Sequence, residues 1–310
     1  MSLLLTTPGD PAPWLKALTA HMPQRQVHLW GQTDAATLAQ IPYALVWRPP
    51  VDFFDGLTGL RAIFNLGAGV DALLPHQGMP KDVPIVRIVD GGMAAQMAEY
   101  ALYGVLHVHR RFDVMAEQQK RAVWADPGIC EPGETRIGIL GLGALALGVI
   151  EKLRPFSFSL SGWSRSFRSV EGVQTYAGLE NLPAFLRSCD VLIVLLPLTE
   201  ETRGLLSAEH LALLPEGASL INLARGALVD EAALLDRLNS GALRFALLDV
   251  FHQEPLPPDH PFWHHPRVIV TPHASAATLP GPAIAQITAN IAAFERGEAM
   301  VGVVDRTKGY

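Results

Sequence analysis

The stretch GILGLGALALG, residues 138–148, contains the pattern that most constrains the fold of this 310-residue chain. A buried-strand pattern, TRIGIL, precedes two glycines spaced by one residue, and a helical pattern over 144–153 follows them. Such glycines allow a tight turn and a close approach of the backbone to a pyrophosphate, which binds the helix N-terminus. The third position of G-x-G-x-x-G is Ala146, and a small residue satisfies the helix-to-strand packing that this position requires. The pattern therefore predicts a dinucleotide-binding βαβ unit.

The residues of this turn are the candidate pyrophosphate ligands: Gly141, Gly143, Ala144 and Leu145. About 20 residues further on, where NAD-binding domains place an acidic residue for the ribose hydroxyls, the chain reads GWSRSFR. This segment offers hydroxyl and guanidinium donors that suit a 2'-phosphate: Ser164, Arg165, Ser166 and Arg168. We predict NADPH as the preferred cofactor and NADH as a weaker alternative, although the two arginines are also compatible with solvated surface charges.

Apolar runs recur along the chain in the manner of an α/β protein. Strand candidates are QVHLW, YALVW, RAIFNLG and PIVRIVD in the first hundred residues, and TRIGIL, FSFSLSGW, DVLIVLLP, ASLINLA, FALLDVF and RVIVTPH after them. Continuous runs indicate strands covered on both faces, as in a parallel sheet. Helical patterns cover 32–41, 93–108, 144–153, 179–188, 230–239 and a last segment ending at Gly297.

Charge and cysteine content exclude several classes of partner. The chain has 24 Lys and Arg against 30 Asp and Glu, with a net charge of -6 and no basic block, so we expect neither nucleic acid nor membrane as a partner. The start shows no signal-peptide pattern, and we expect a cytoplasmic protein. Cys130 and Cys189 have no metal-ligand spacing and are predicted to be unpaired thiols. In FWHHP, His264 and His265 lack further ligands, so we predict no metal site.

Three charged residues follow strand patterns: Arg225 in INLARGALVDEAAL, Glu254 in LDVFHQEPLP and His273 in VTPHAS. The carboxyl ends of parallel strands meet at one edge, so we expect these side chains in one site. Histidine suits proton donation near neutral pH, and a neighbouring carboxylate orients it and favours its protonated form. A guanidinium binds a carboxylate through two parallel hydrogen bonds.

The turn in NLGAGVD follows another strand pattern and is rich in glycine. Exposed backbone amides of such a turn form an anion-binding concavity. We therefore expect Gly67, Ala68 and Gly69 to contribute to binding a carboxylate, the alternative being an ordinary turn.

In their order, these motifs resemble the NAD(P)-dependent D-2-hydroxyacid dehydrogenases over essentially the whole chain, and among them the bacterial glyoxylate and hydroxypyruvate reductases. The motifs are NLGAGVD, GILGLGALA, LLPLTEETRGLL, NLARGALVDEAAL, LDVFHQEPLP, TPH and VDRTKGY. The resemblance implies that Arg225 anchors the substrate carboxylate, His273 donates the proton and Glu254 is its partner. It also implies cofactor contacts along the path of the nicotinamide nucleotide, from Pro197, Thr202, Ala224 and Asp249. Trp47 is a candidate wall of the substrate pocket or, equally, a core residue.

The resemblance further implies two Rossmann-like domains with parallel sheets and a cleft between them. We expect a flavodoxin-like substrate-binding domain from residues 1–95 and 273–310, a doubly wound NAD(P)-binding domain from 96–272, and a homodimer. The predicted activity is NADPH-dependent reduction of glyoxylate to glycolate and of hydroxypyruvate to D-glycerate. The alternatives are a D-2-hydroxyacid dehydrogenase with another substrate range and a non-catalytic NAD(P)-sensing binding protein of the same fold.

Overall fold

The computed structural model describes residues 2–310, apart from the side chain of Pro132. The strands, in chain order, are β1 Leu3–Thr6, β2 Val27–Leu29, β3 Tyr43–Val46, β4 Ala62–Asn65, β5 Ile85–Arg87, β6 Arg136–Leu140, β7 Ser159–Ser164, β8 Gln174–Ala177, β9 Val191–Val194, β10 Ala218–Asn222, β11 Leu243–Leu248 and β12 Val268–Val270. The helices are α1 Ala12–His21, α2 Ala35–Leu38, α3 Met93–His109, α4 Phe112–Lys120, α5 Ala144–Leu153, α6 Leu182–Arg187, α7 Ala208–Leu211, α8 Glu231–Ser240 and α9 Pro280–Glu295. No helix within residues 2–310 is both long enough and apolar enough to cross a membrane.

The chain forms two compact units, Met1–Met93 with Thr278–Tyr310, and Ala94–Ala277. Each contains one sheet, and the strand pairs described for both sheets are parallel. The predicted α/β class with two parallel sheets is therefore confirmed.

The first unit contains a sheet with the strand order β2-β1-β3-β4-β5. This is the flavodoxin-like order. Its strands β3 and β4 are buried along their whole length, because helices cover parallel sheets on both faces.

The second unit contains a sheet with the strand order β12-β11-β10-β9-β6-β7-β8. The six strands β6 to β11 follow the doubly wound dinucleotide-binding order, which reverses between β6 and β9. Alternate residues of β9 pack into different cores, Leu192 and Val194 on one face and Val191 and Ile193 on the other. This two-sided burial explains why the sequence of β9 is a continuous apolar run.

The boundaries of the two units differ from the predicted domain boundaries at 95/96 and 272/273. The first boundary lies after Met93 and the second after Ala277. The backbone amides of Ala274 and Ser275 donate to the carboxylate of Asp249 at 2.8 and 2.9 Å. These hydrogen bonds tie the residues after His273 to the second unit.

Local differences from the predicted elements have identifiable causes. The predicted helix 179–188 is a 3-10 turn followed by α6. Pro183 lies in the first turn of α6, where its missing amide is tolerated, but it cannot continue a helix from the preceding turn. The predicted helix 32–41 is shortened to α2, which begins at an N-cap formed by Asp34, whose side chain accepts from the amide of Thr37 at 3.0 Å.

We expect Gly138→Ala to lower the free energy of unfolding by about 1–3 kcal/mol, because a well-packed core does not accept an added methyl group. A Cβ at Gly138 in β6 would overlap Sγ of Cys189 and lie 3.0 Å from Cζ of Phe185. Cys189 is completely buried, and burial raises the pKa of its thiol to about 12. Urea denaturation measures the effect.

Combining Gly138→Ala with Cys189→Ala should cost less than the two single changes added together, since removal of the sulfur makes room for the methyl group. Gly133→Ala is the matched control, because Gly133 is exposed, has no positive φ, and an added Cβ meets nothing within 4 Å beyond its chain neighbours. This control should stabilise the protein by about 0.4–1 kcal/mol. If Gly138→Ala proved as stable as wild type, the packing argument would be wrong.

Candidate active site

The loops that follow β10 and β11 pack backbone against backbone. A Cβ at Gly226 would overlap the carbonyl carbon of Phe251, so only glycine fits at this position. This close approach brings the loop of Arg225 next to the loop that leads from Phe251 to Glu254. The positive charge of Arg225 is near enough to contribute to the pKa of Glu254.

His273 and Glu254 form an ion-pair geometry, with Nδ1 of the imidazole 2.7 Å from Oε2 of the carboxylate. Burial raises the pKa of Glu254, but hydrogen bonds from His273 and from the Phe251 amide, together with the charge of Arg225, outweigh it and leave the pKa below its usual range. Glu254 is therefore a carboxylate at neutral pH and only accepts hydrogen bonds. The proton consequently lies on Nδ1, and Nε2 has no hydrogen-bond partner among residues 2–310.

Asp249 holds the loop that carries His273. Its fully buried carboxylate accepts from the hydroxyl of Thr271 at 2.7 Å and from the amides of Ala274 and Ser275. Its backbone carbonyl accepts from the His273 amide at 2.8 Å. These contacts support a left-handed backbone at His273, where φ is 52° and a side chain is strained. The predicted contact of Asp249 with a nicotinamide carboxamide stays a prediction.

A second hydroxyl extends this buried network. The hydroxyl of Tyr100 in α3 donates to the Thr271 hydroxyl, which itself donates to Asp249. Burial raises the pKa of Tyr100, although the Thr271 contact partly offsets it. Tyr100 is therefore a neutral donor at physiological pH, and α3 is connected to the His273 loop.

The backbone around Arg225 is held by Asn222, the last residue of β10. The buried amide of Asn222 donates to the Arg225 carbonyl at 3.0 Å and accepts from the Ala224 amide at 3.1 Å. Nη1 of Arg225 donates to the Ala224 carbonyl at 2.7 Å. Asn222 thus fixes the direction in which the Arg225 side chain leaves the sheet, a role that the motif analysis missed.

The turn 67–69 of the first unit is organised in the same way. Asn65, at the end of β4, is buried and donates to the carbonyls of Gly67 and Gly69 at 2.8 and 2.9 Å. Trp47 packs directly on this turn, since a Cβ at Gly67 would overlap its ring. Trp47 is partly exposed, which favours the wall interpretation over a purely core position. A buried Asn that ends an apolar strand, as in AIFN and SLIN, is the signal that identifies both residues.

The glycine turn after β6 fits a pyrophosphate group. Gly141 has φ of 109°, and a Cβ there would lie 2.9 Å from the backbone of Leu195 and Leu196. Gly143 is the N-cap of α5, and no described side chain caps that helix end. The first amides of α5, from Ala144 and Leu145 onward, are therefore donors for an anion. Ala146 is buried against the sheet, as its small size predicts.

The predicted 2'-phosphate residues lie at and after the end of β7. The Ser164 hydroxyl donates to the Ser166 carbonyl at 2.8 Å. Nη1 of Arg168 donates to the carbonyl of Leu142, within the glycine turn, at 2.8 Å. Nη1 of Arg165 lies 2.8 Å from Oε2 of Glu201. Arg168, although exposed, is thus bonded to the turn, and Glu201 is a neighbour that the motifs did not indicate.

The loop after β9 is closed by its own hydrogen bonds. The Thr202 hydroxyl donates to the Pro197 carbonyl at 2.8 Å and accepts from the Thr199 amide at 2.8 Å. Thr202 therefore shapes the loop, and contact of Thr202 or Pro197 with a cofactor stays a prediction.

Comparison with known proteins agrees with this arrangement. Residues 102–275 match the family model described as "D-isomer specific 2-hydroxyacid dehydrogenase, NAD binding domain". A D-isomer specific 2-hydroxyacid dehydrogenase from Xanthobacter autotrophicus Py2, crystallised with NADPH and MES, has a TM-score of 0.95 and 41% identity, with 100% of this chain and 99% of that chain covered.

Two further solved structures are similar over the same extent. An NADPH-dependent glyoxylate/hydroxypyruvate reductase from Sinorhizobium meliloti, in complex with NADP and sulfate, has a TM-score of 0.92 and 36% identity, covering 100% of this chain and 99% of that chain. A probable 2-hydroxyacid dehydrogenase from Rhizobium etli CFN 42, in complex with NADP, HEPES and L(+)-tartaric acid, has a TM-score of 0.90 and 34% identity with the same coverage.

Asp249→Asn should lower the free energy of unfolding by about 1–3 kcal/mol and accelerate hydrogen exchange at the amides of residues 273–275. The new amide nitrogen cannot accept from those backbone donors, which leaves at least one of them buried and unpaired. Urea denaturation and hydrogen-exchange mass spectrometry measure the two effects. Asp236→Asn, on the exposed side of α8, is the control and should change stability by no more than about 0.5 kcal/mol. Unchanged exchange at 273–275 would show that Asp249 does not hold the loop.

Proposed function

This chain belongs to the D-isomer specific 2-hydroxyacid dehydrogenase family, and we propose that it reduces small 2-oxo acids with NADPH as the preferred cofactor. The proposed reactions are glyoxylate to glycolate and hydroxypyruvate to D-glycerate. The observation that carries the proposal is the 2.7 Å contact between His273 and Glu254, next to the loop of Arg225. The relative from Sinorhizobium meliloti, an NADPH-dependent glyoxylate/hydroxypyruvate reductase, supports the choice of substrates.

His273 is the proposed proton donor. With Nδ1 directed at Glu254, Nε2 is the atom that donates a proton to the carbonyl oxygen of the 2-oxo acid. The nicotinamide, when bound, supplies the hydride to C2 of the substrate. Glu254 stabilises the imidazolium before the proton leaves and fixes the orientation of the ring. The side chains of His273 and Glu254 are 36% and 28% exposed, which leaves the imidazole accessible to a substrate.

Arg225 is the proposed anchor of the substrate carboxylate. Its guanidinium has donors for a bidentate contact, and its charge also stabilises negative charge that develops on the carbonyl oxygen. The turn formed by Gly67, Ala68 and Gly69 is proposed to contribute backbone amides to the same carboxylate. Asn65 supports this role, because its hydrogen bonds to the carbonyls of Gly67 and Gly69 hold the backbone of the turn in one conformation.

The preference for NADPH rests on the end of β7. No acidic residue stands in residues 162–168, whereas two arginines do. Arg168 is attached to the glycine turn and Arg165 lies beside the loop after β9, so both are near the pyrophosphate-binding helix end. The three relatives named above were crystallised with NADPH or NADP. NADH is the weaker alternative.

A homodimer is also part of the proposal, as the family resemblance implies, and so is a location in the cytoplasm. The segment that follows α4 supports an interface, because Trp124 and Ile129 are almost completely exposed there. Large apolar side chains of this kind in an extended segment are typical of surfaces that a partner covers.

His273→Asn should lower kcat for glyoxylate reduction by about 10²–10⁴-fold, since the variant has no general acid at this position. Because the reaction consumes a proton that this residue donates, wild-type reduction should slow as pH rises, and the variant should lose this dependence. NADPH affinity, measured by fluorescence titration, should remain within about twofold. His264→Asn, at an exposed histidine, is the matched control. Near wild-type turnover in His273→Asn would remove this residue from the mechanism.

A panel of substrates tests the substrate class. We expect higher kcat/KM for glyoxylate and hydroxypyruvate than for 3-phosphohydroxypyruvate, since the anchor motifs around Gly67–Gly69 and Arg225 contain no further basic residue. Arg48 is a cation beside the candidate pocket wall, since its guanidinium lies 5.9 Å from the centroid of the Trp47 ring. Equal use of the phosphorylated substrate would contradict the assignment and indicate a basic residue from elsewhere in the fold as its ligand. Binding of NADPH without turnover of any oxo acid would favour a non-catalytic sensing protein.

A further inference from the structure

We propose that Glu201 is the counter-ion that Arg165 exchanges for the 2'-phosphate of NADPH, and that it sets how strongly the protein prefers NADPH to NADH. This inference rests on the proposed function, because it concerns the same cofactor site. Glu201 lies outside the motifs that indicate cofactor choice, and 36 residues separate it from Arg165.

The position of the pair supports this role. Arg165 follows β7, and Glu201 lies in the loop after β9; β7 and β9 are the two neighbours of β6 in the sheet. The glycine turn, which begins at the end of β6, therefore lies between the two loops. Arg168, three residues after Arg165, donates to the carbonyl of Leu142 and attaches its loop to that turn.

The pair also places a carboxylate near the end of β7, where NAD-binding domains have an acidic residue and this sequence has none. NAD-binding domains place an acidic residue at the end of the second strand, where it accepts from ribose hydroxyls and repels a 2'-phosphate. Here that strand ends at Ser164 and Arg165 follows it, but the Glu201 carboxylate reaches Nη1 of Arg165 from another loop at 2.8 Å. Glu201 therefore has the charge of the usual acidic residue without its position in the sequence.

Exposure makes the exchange feasible. The side chains of Arg165 and Glu201 are 45% and 68% exposed, and ion pairs this accessible to water contribute little to stability. A phosphate group carries more negative charge than a carboxylate and accepts two parallel hydrogen bonds from a guanidinium. Arg165 consequently gains by turning from Glu201 to the phosphate.

Glu201 opposes the phosphate even after the exchange, because hydrogen bonds within its loop hold the backbone that carries it. Thr202, the next residue, is bonded through its hydroxyl to the Pro197 carbonyl and to the Thr199 amide. The carboxylate therefore remains near the bound phosphate and repels it. When the cofactor lacks the phosphate, the Arg165–Glu201 pair persists, so the same residue weakens NADPH binding and leaves NADH binding unaffected.

The experiment is a calorimetric titration of the whole protein with 2',5'-ADP and with 5'-ADP, two probes that differ in the 2'-phosphate alone. We expect wild type to bind 2',5'-ADP more tightly. Glu201→Gln should tighten 2',5'-ADP binding by about three- to tenfold and change 5'-ADP binding by less than about twofold. Glu200→Gln, with the same change of charge one residue earlier, is the matched control and should change the ratio of the two affinities by less than about twofold.

Arg165→Ala tests the exchange itself. In this background Glu201→Gln should give less than half of the gain in 2',5'-ADP affinity that it gives in wild type, because no pair is left to break. The full gain in the absence of Arg165 would mean that Glu201 acts only as a general negative charge, and would overturn the proposal. So would an equal gain from Glu200→Gln, or weaker 2',5'-ADP binding by Glu201→Gln.

The two probes test the preference for NADPH and the role of Glu201 separately. If wild type binds 2',5'-ADP no more tightly than 5'-ADP, the proposed preference for NADPH is wrong and this inference is wrong with it. If wild type prefers 2',5'-ADP but Glu201→Gln leaves the ratio of affinities unchanged, the cofactor assignment stands and Glu201 has no part in it.

Discussion

The candidate site depends on one buried charge, the carboxylate of Asp249 at the end of β11. A carboxylate without exposure to water is stable only when donors surround it, and here the donors are the Thr271 hydroxyl and two backbone amides of the following loop. Satisfying Asp249 therefore fixes the loop, and with it the strained backbone of His273. The chain that follows β11 also leads from Asp249 to Glu254. The end of this one strand therefore positions both members of the imidazole–carboxylate pair.

Two buried asparagines, one in each unit, hold the backbone of the turn that follows a strand. Asn65 and Asn222 each end a buried strand and bond to the backbone of the turn that follows. The side-chain amide of asparagine has both donor and acceptor atoms, so it can bond to the backbone groups of a neighbouring turn and hold its shape. In one unit this organises the turn 67–69, and in the other it directs Arg225.

Much of the fold and part of the site could be predicted from local sequence. The helix predicted over 144–153 is α5, because glycine spacing before it and apolar periodicity within it point to the same element. The strands β1 and β8 and the helices α1, α4 and α7 were missed. The sequence of α4 is largely polar, and its position is fixed by Asp113, whose carboxylate accepts from Arg244 of β11 at 2.5 and 2.6 Å. A contact between residues so far apart in the chain leaves no periodic signal.

The sequence by itself determined the buried strands and helices of an α/β protein, the glycine turn and the kinds of residue at the strand ends, because periodicity and residue type act within one segment. Only the tertiary structure decided which side chains meet: that Nδ1 of His273 faces Glu254, that Asp249 holds the histidine loop, that Arg168 bonds to the glycine turn and that Arg165 lies beside Glu201. These contacts depend on distances between loops from different strands. The order of strands in the sheet sets those distances, and no single segment encodes that order.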